Sequence, residues 1–129
     1  MIDPRDVGAA AAAVLSTPGH DGRTYVLTGP EAITYAQIAA ALSAATDRAI
    51  EFTDIPDQDA RQGLVQAGLP DVVAEQVVKV FAMARRGVAE QVTAAVASLT
   101  GRPPRDVASF ARDHARLFAP APAAVGAGR

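Results

Sequence analysis

RTYVLTGPEAITYAQIAAAL, residues 23–42, has the pattern of a β-strand, a tight loop and an α-helix in succession. A strand is predicted at 24–28 because this run is rich in β-branched and aromatic residues, and Gly29 and Pro30 end it. Thr34 has the side chain of a helix N-cap, and Gln37 is placed three residues later to close a capping box. The stretch therefore predicts a βα unit.

A second strand is predicted at 50–55, IEFTDI, because apolar and polar residues alternate there and Pro56 follows. A strand, a helix and a strand in this order form a βαβ unit, whose two strands run parallel. Two parallel strands alone leave unpaired edges, whereas parallel sheets are normally larger and covered on both faces. Either further strands escape the pattern, or these two complete a sheet that another polypeptide or another copy supplies.

The remainder of the chain has helical patterns. Capping residues and glycine or proline breakers predict helices at 3–16, 57–67, 70–86, 93–99 and from 106 onwards, capped by Asp3, Asp57, Thr93 and Asp106. The 70–86 helix is predicted to bury an apolar face formed by Val73, Val77, Val80, Phe81 and Ala84. We therefore expect an α/β fold that is helix-rich, with a small parallel βαβ core and a helical C-terminal subdomain. One domain is predicted over 1–118, followed by a disordered tail over 119–129.

Composition restricts the classes of function. The 129 residues include 12 Lys and Arg and 14 Asp and Glu, and no basic stripe suggests nucleic acid as a partner. The absence of cysteine excludes disulfides, thiolate nucleophiles and cysteine-type zinc sites. No apolar run reaches the ~18 residues of a membrane span, and the first residues lack the pattern of a signal peptide. The sequence predicts a cytoplasmic protein with neither nucleic acid nor membrane as a partner.

Acidic residues offer two candidate sites. Asp3 and Asp6 are a potential carboxylate pair, but their spacing around Pro4 already fits a helix start, and capping is the favoured interpretation. A second cluster, formed by Asp54, Asp57 and Asp59, supplies oxygens that suit a hard cation. Calcium loops need more ligands and a turn glycine, so a solvated helix start is again favoured. We predict no metal site.

The two histidines are far apart in the sequence. His20 lies in a loop and His114 in the last helix, and without cysteine or a second nearby histidine they do not form a zinc pattern. His114 as a general base needs a nucleophile and a cleft, and the sequence locates neither. A small enzyme that uses His114 or the acidic cluster is therefore a minor hypothesis, and no catalytic residue is predicted.

The best candidate for a binding site is the loop after the first strand. Gly29 and Pro30 follow the carboxyl end of that strand, where open α/β sheets bind ligands, although a structural turn is the favoured interpretation. Val77 and Phe81 are candidates for lining a substrate pocket, with packing against neighbouring elements as the alternative. Val72 and Met83 lie off the main face of the 70–86 helix and are candidates for a protein interface.

Four segments, in order, resemble the C-terminal part of NmrA-like proteins, atypical members of the short-chain dehydrogenase/reductase group. They are IDPRDVG (2–8), GRTYVLTGPE (22–31), TYAQIA (34–39) and LTGRPPR (99–105), the last followed by Phe110 and by Asp113 and His114. The resemblance extends to about residue 118. It implies a truncated family member that lacks the N-terminal Rossmann half, which binds NAD(P) in the family.

The family's cofactor and catalytic signatures are absent from this sequence. No G-x-G-x-x-G follows a strand, and the Tyr-x-x-x-Lys pair is missing because Ala39 lies four residues after Tyr35 and Lys79 is the only lysine. We therefore expect this chain to bind no cofactor itself. The resemblance implies the substrate-side lobe of an NAD(P)-dependent oxidoreductase or redox-sensing regulator, not catalytic alone, with a small apolar ligand. The alternative is a protein-interaction module that homodimerises or docks on a Rossmann-bearing partner.

Overall fold

The computed structural model describes residues 1–118; residues 119–129, where the sequence predicts a disordered tail, lie outside the described part. The described chain is helical. Its elements are α1 (Pro4–Ser16), α2 (Tyr35–Thr46), α3 (Asp57–Gln66), α4 (Asp71–Arg85), α5 (Ala95–Thr100), α6 (Val107–Asp113) and a 3-10 helix (Ala115–Phe118). All five helices predicted outside the opening stretch are therefore confirmed, with ends shifted by a few residues.

Three of the predicted helix caps are confirmed. The Asp3 side chain accepts from the Arg5 backbone N–H at the start of α1, and the Asp106 side chain accepts from the Ser109 N–H at the start of α6. Thr34 accepts from the Gln37 N–H at 3.2 Å, and the Gln37 side chain accepts from the Thr34 N–H at 2.7 Å. This closed capping box fixes the start of α2 by local contacts alone.

Two predicted caps are wrong. Pro56, not Asp57, is the N-cap of α3, and the Asp57 carboxylate instead accepts from the Arg85 guanidinium. Ala94, not Thr93, is the N-cap of α5. The Thr93 hydroxyl is used in a distant contact, since it donates to the Val26 carbonyl at 2.6 Å. In both cases, the side chain that the local pattern assigned to a cap, Asp57 or Thr93, instead makes a tertiary contact.

The predicted βαβ core is wrong for the described residues. Neither 24–28 nor 50–55 forms a strand there, because neither has a ladder partner. Backbone pairs occur only beside the first segment, where the Arg23 N–H donates to the His20 carbonyl at 3.1 Å and the Gly29 N–H to the Met1 carbonyl at 2.9 Å. The second segment is held at its start by the Ser43 hydroxyl, which bonds the Ile50 backbone. The strand-like composition is present, but the ladder also requires a neighbouring strand.

The helices pack in pairs around small residues. Helix α1 packs against α5, α2 against α6 and the 3-10 helix, and α3 against α4. The buried hydrophobic residues are Ala10, Ala39, Ala74, Val78, Val96 and Ala111, of which only Val96 is a fully buried larger side chain. Alanine at these positions lets helices approach closely but removes little apolar surface from water. Among the described residues, no helix has the length and hydrophobicity required to cross a membrane.

Helix α4 buries a different face from the one predicted. Ala74 and Val78 are its buried residues, whereas Val73 and Val80 are exposed by 43% and 61%. The helix has apolar residues on two sides, so a periodicity argument does not decide which side packs against α3. The predicted main face is therefore not the most buried face of α4: Val77, Phe81 and Ala84 are half-buried, and Val73 and Val80 are exposed.

Ion pairs connect the start of α1 to the C-terminal part of the chain. The Arg5 guanidinium binds Asp3 and Asp113, each at 2.7 Å. Hydrogen bonds from Arg5 lower the pKa of the buried Asp3 carboxyl to about 2. Asp6 is also buried, and it accepts from the Arg105 backbone N–H at 2.7 Å and from the Arg105 guanidinium. Of the two aspartates predicted as helix-start residues, Asp6 therefore binds the distant Arg105 directly, and Asp3 is connected to the distant Asp113 through Arg5.

Replacing Gly29 by alanine is expected to destabilise the protein. A Cβ at residue 29 would lie 2.2 Å from the Met1 carbonyl oxygen, so the backbone must shift. We expect a loss of about 1–3 kcal/mol in the free energy of unfolding, measured by urea denaturation. Gly63→Ala is the control, since a Cβ there meets nothing within 4 Å inside α3, and it should stabilise by about 0.5–1 kcal/mol. Equal effects of the two changes would contradict the close backbone approach.

Asp3→Asn is expected to flatten the acid limb of the stability profile. The pKa of the folded-state Asp3 carboxyl, about 2, lies below its usual 3.8, so its charge stabilises the fold above pH 4 and this contribution is lost towards pH 2. Asparagine retains the capping ability and removes the charge. Urea midpoints should therefore differ between variant and parent at pH 7 and converge as the pH approaches 2. A difference that stays constant over this range would exclude the charge effect.

Candidate functional site

An open cleft of about 250 Å³ lies between the N-terminal segment, the loop after 24–28 and the start of α6. Its walls are mainly apolar, and charged side chains border them. It is lined by Met1, Ile2, Asp3, Pro4, Pro30, Glu31, Ile33, Arg105, Asp106, Val107 and Phe110. Three segments that are remote in sequence therefore form one concave surface.

Most of the charged groups of this cleft have structural partners. Asp3 caps α1 and binds Arg5, while Asp106 caps α6. The hydrogen bond from the Ser109 backbone lowers the pKa of Asp106. Arg105 is held by Asp6, behind the cleft. Glu31 is exposed and has no hydrogen-bond partner among residues 1–118, so it is the charged group of the cleft whose side chain is not engaged.

The predicted pocket residues separate into two places. Pro30 lines the cleft, and Gly29 is buried beside it against the Met1 backbone. Val77 and Phe81 do not line it. Phe81 instead meets the Tyr35 ring edge-on, with ring centroids 6.3 Å apart. This cleft therefore does not bring the loop and α4 together; Phe81 has a packing contact, and a role of Val77 and Phe81 in a substrate pocket stays a prediction.

An aromatic cluster forms where the predicted second strand passes α2. The ring of Tyr35 stacks on that of Phe52 with centroids 5.4 Å apart, and Phe81 completes the cluster from α4. Tyr35 and Phe52 remain exposed by 43% and 48%. The cluster thus presents two aromatic rings to its surroundings, a feature that the sequence pattern did not predict, because the three residues come from separate elements.

The candidate interface residues are exposed. Val72 is exposed by 66% and Met83 by 49%, on the side of α4 that faces away from α3. Val73 and Val80 belong to the same exposed side. Helix α4 therefore has apolar surface beyond the needs of one buried face, and the role of Val72 and Met83 in an interface stays a prediction.

The histidines and the acidic cluster have structural contacts. His20 lies between the Tyr25 hydroxyl at 2.7 Å and the Thr17 hydroxyl at 2.9 Å. The Thr17 hydroxyl already donates to the Ala13 carbonyl, so it accepts from the Nε2–H of His20, and the Nδ1 atom accepts from Tyr25. His114 packs its ring against Phe110, with centroids 4.6 Å apart. Neither ring is paired with a nucleophile in a cleft.

Asp54 and Asp57 both accept hydrogen bonds from the Arg85 guanidinium, at 3.0 and 2.5 Å. The positive charge that the acidic cluster attracts is therefore supplied by α4. Over residues 1–118, no group of three or more histidine, cysteine or acidic side chains is arranged to hold a metal ion.

Sequence reasoning missed the contact that forms the wall of the cleft. Asp6 and Arg105 are 99 positions apart, and no local sequence pattern predicts that they form an ion pair. The only sequence signal is that both belong to motifs quoted above, IDPRDVG and LTGRPPR.

A second cleft of about 250 Å³ is lined in part by Met1 and is bordered by Val26, Leu27 and Val88.

Comparison with known proteins finds similarity to part of several proteins that are named as reductases. No protein-family model matches it. The chain is 38% identical over 117 residues to an NAD(P)H azoreductase of Xenophilus azovorans, a match that spans 91% of this chain and 41% of the azoreductase. It is 32% identical over 98 residues to Quinone oxidoreductase 2 of Escherichia coli, spanning 76% of this chain and 34% of that protein. The chain thus spans about two fifths of the length of the curated relatives it matches.

Solved structures agree with these relatives. The crystal structure of an NADPH-dependent quinone oxidoreductase from Escherichia coli superposes with a TM-score of 0.76 at 30% identity, covering 88% of this chain and 40% of that one. A Citrobacter triphenylmethane reductase complexed with NADP(H) shares the fold, with a TM-score of 0.76 at 22% identity, over 88% of this chain and 39% of the reductase. Several homologues and structural neighbours of this chain are therefore NAD(P)H-dependent reductases by name, and the structural neighbours have α/β folds.

Proposed function

We propose that this chain is the substrate-side lobe of an NmrA-like NAD(P)H-dependent oxidoreductase or redox-sensing regulator, and that it is not catalytic by itself. The observation that carries the proposal is the extent of the similarity. Nine tenths of the chain match the azoreductase, yet the match accounts for only two fifths of the azoreductase's length. In the intact enzyme, the nicotinamide cofactor is then held by the other three fifths.

A dinucleotide does not fit the starts of α1, α2, α3, α4 and α6, and the remaining helix, α5, has only six residues. Phosphates bind at helix N-termini whose backbone N–H groups are open and whose surroundings are not acidic. Here Asp3, Thr34 and Asp106 occupy the starts of α1, α2 and α6 with their own oxygens. Helices α3 and α4 begin with Asp57 and Asp71, whose negative charges oppose a pyrophosphate. The chain therefore contributes no step through the cofactor, and we assign it the binding of substrate alone.

The cleft supports a small apolar substrate. Its apolar wall comes from Ile2, Pro30, Ile33, Val107 and Phe110, and most of its charged groups are already neutralised by neighbours. Such a surface holds a flat apolar molecule by burial and gives little selectivity for charge. The names of two relatives refer to the reduction of azo compounds and quinones, which are molecules of this kind. We therefore propose a quinone-like or similarly conjugated substrate.

A chimeric protein tests this proposal and is called the graft below. This chain replaces the matched two fifths of the Escherichia coli NADPH-dependent quinone oxidoreductase, and NADPH affinity and quinone reduction are measured. We expect the graft to bind NADPH and turn over a quinone, whereas the free chain shows no NADPH binding in the micromolar range. Phe110→Ala removes part of the cleft wall and should raise the quinone KM by about tenfold, which corresponds to the loss of one partly buried aromatic ring.

Leu117→Ala is the matched control for this graft, because Leu117 is exposed by 78% and does not line the cleft. It should leave the quinone KM and the NADPH affinity unchanged. Micromolar binding of NADPH to the free chain, or a graft that binds NADPH and reduces no quinone, would refute the proposal.

The exposed side of α4 favours a second candidate function, a module that homodimerises. Val73, Val77, Val80 and Ala84 follow one another at intervals of four, three and four residues, the spacing of a coiled-coil seam. None of the four is charged, so two copies of the seam meet without repulsion. Val72 and Met83 widen this surface. Apolar surface of this kind on a helix is typical of a protein contact.

Val80→Glu tests the homodimer. If α4 pairs with α4 of a second copy, a buried carboxylate at the centre of the seam should convert the dimer to a monomer. Light scattering after gel filtration, at several protein concentrations, measures this change. Leu15→Glu is the control, because Leu15 is exposed by 87% on α1, away from the seam, and should leave the mass unchanged. A parent chain that stays monomeric at every concentration would exclude this candidate.

A further inference from the structure

Helices α3 and α4 form a hairpin whose two ends are both closed by ion pairs. Near the loop that joins the helices, the Arg61 guanidinium of α3 binds the Asp71 carboxylate at the start of α4 at 2.8 Å. At the opposite end, the Arg85 guanidinium of α4 binds Asp57, the first residue of α3, and Asp54 at 3.0 Å. Because the two helices pack against each other and are joined at both ends, they keep one mutual arrangement.

Residues 54–85, called the arm below, have few contacts with residues 1–50 and 93–118, called the body below. Helices α3 and α4 pack against each other, and neither belongs to the packed helix pairs of the body. Among the described residues, no hydrogen bond or ion pair joins the arm to the body. The arm has buried residues of its own, Ala74 and Val78. A segment with its own core and few outside contacts is expected to move as one unit.

The first connection between body and arm, residues 51–53, begins at a fixed point. The Ile50 N–H donates to the Ser43 hydroxyl of α2 at 2.9 Å, which holds the last residue of the body. Residues 51–53 are all exposed, and within the described part of the chain they make no hydrogen bond. Their contact with the body is the Phe52 ring, which stacks on Tyr35. The backbone dihedral angles of this connection can therefore change without the loss of a hydrogen bond.

The second connection, residues 86–92, ends at another fixed point. The Thr93 hydroxyl donates to the Val26 carbonyl at 2.6 Å, and the Thr93 N–H donates to the Thr28 hydroxyl at 2.9 Å. Over the described residues, 86–92 form hydrogen bonds only with one another and with the last turn of α4. Gly87 has a φ of 77°, in the region that favours glycine. Each connection thus joins the arm to a fixed residue of the body, which is the arrangement of a pair of hinges.

An aromatic contact holds the arm against the body. Phe81 of α4 meets the Tyr35 ring at the start of α2 edge-on, with ring centroids 6.3 Å apart. Tyr35 is still exposed by 43%, so this contact is not enclosed by other side chains. A single edge-on pair is weak compared with the packing of two helices along their length. The arm can therefore move away from the body while its own ion pairs stay formed.

We infer that the arm is a hinged lid, which turns on the body as a rigid unit about residues 51–53 and 86–92. The arrangement in which Phe81 contacts Tyr35 is its closed position. Lids of this kind open through a few connecting residues that absorb the change in backbone angles, while the helices they carry keep their shape.

Movement of the arm changes the second cleft. One part of the cleft lining belongs to the second connection and consists of Val88, Ala89 and Gln91. Another part belongs to the body and consists of Val26, Leu27 and Thr28. Because the first part moves with the arm and the second does not, the width of this cleft follows the position of the arm. The inference is independent of the proposed substrate role, which uses the other cleft.

Distances between pairs of spin labels test the hinged lid. The chain has no cysteine, so introduced cysteines carry the only labels, and all four chosen positions are exposed. Ala12→Cys with Gln76→Cys spans body and arm. The controls are Gln62→Cys with Gln76→Cys inside the arm, and Ala12→Cys with Ala40→Cys inside the body. We expect the distance distribution of the spanning pair to be roughly twice as wide as that of either control pair. Dilution into an excess of unlabelled chain restricts the measurement to distances within one chain.

Phe81→Ala tests the contact that closes the lid. It removes the ring that meets Tyr35, so it should widen the distribution of the spanning pair further and leave both control pairs unchanged. Val80→Ala is the matched control, because Val80 is the neighbouring residue on α4, is exposed by 61% and should change none of the three distributions. Far-UV circular dichroism checks the folding of both variants. If Phe81→Ala does not fold, the three pairs in the parent chain decide.

A nitroxide at Gln91→Cys tests the effect on the second cleft. Attached to the second connection, it broadens the NMR signals of the Val26 and Leu27 amides to an extent that falls steeply with distance. This broadening should decrease by about twofold in Phe81→Ala, because the released connection spends more time away from the body. In Val80→Ala it should equal that of the parent.

Three results would overturn the inference or part of it. A spanning distribution as narrow as both control distributions, in the parent and in Phe81→Ala, excludes the hinges. A distribution inside the arm that is as wide as the spanning one excludes a rigid arm. Unchanged broadening at Val26 and Leu27, in a Phe81→Ala chain whose spanning distribution has widened, refutes the effect on the second cleft alone.

Discussion

The ion pair between the buried Asp6 and the half-buried Arg105 determines the shape of the site. A buried carboxylate is strongly unfavourable unless it is neutralised and hydrogen-bonded, and Asp6 is 4% exposed. Its oxygens accept from both the backbone and the guanidinium of Arg105, so the start of α1 and the chain before α6 must lie together. The cleft is the space that remains between these two segments and the Pro30 loop. A second set of ion pairs connects the same two parts of the chain, since Arg5 binds both Asp3 and Asp113.

The structural features that could be predicted from the sequence depend on contacts between residues that are close together in the chain. The capping box of Thr34 and Gln37 and the caps at Asp3 and Asp106 involve residues at most three positions apart, and all are confirmed. The strands at 24–28 and 50–55 failed because a ladder depends on a second strand, which composition does not reveal. The cap at Thr93 failed for a related reason, since its hydroxyl serves the Val26 carbonyl 67 positions away.

The difference between local and long-range contacts also explains which residues of the candidate site could be predicted. Pro30 was placed in a cleft because the end of a strand-like segment is a common binding position, and this reasoning needed only local pattern. The wall opposite Pro30, formed by Arg105 and Phe110, depends on the buried contact of Asp6 and had no local signal. Val77 and Phe81 were candidates for a pocket, with packing as the favoured interpretation, and their pocket role stays a prediction. The buried face of α4 could not be predicted, because the helix is apolar on two sides and periodicity does not fix its rotation about its own axis.

The distribution of apolar residues links the fold to the proposed role. Six hydrophobic residues are buried in the described part of the chain, four of them alanine, while fifteen large hydrophobic side chains are exposed. An alanine-rich core removes little apolar surface from water, so the helix caps and the ion pairs at α1 carry a larger share of the stability. The exposed residues include Val26 of the extended 24–28 segment, Phe52 of the aromatic cluster and Val80 of the α4 seam. Each of these residues belongs to an apolar surface, and burial of that surface would add contacts that the small core does not supply. Such exposed apolar surfaces are expected of a lobe that packs against another part of a larger protein.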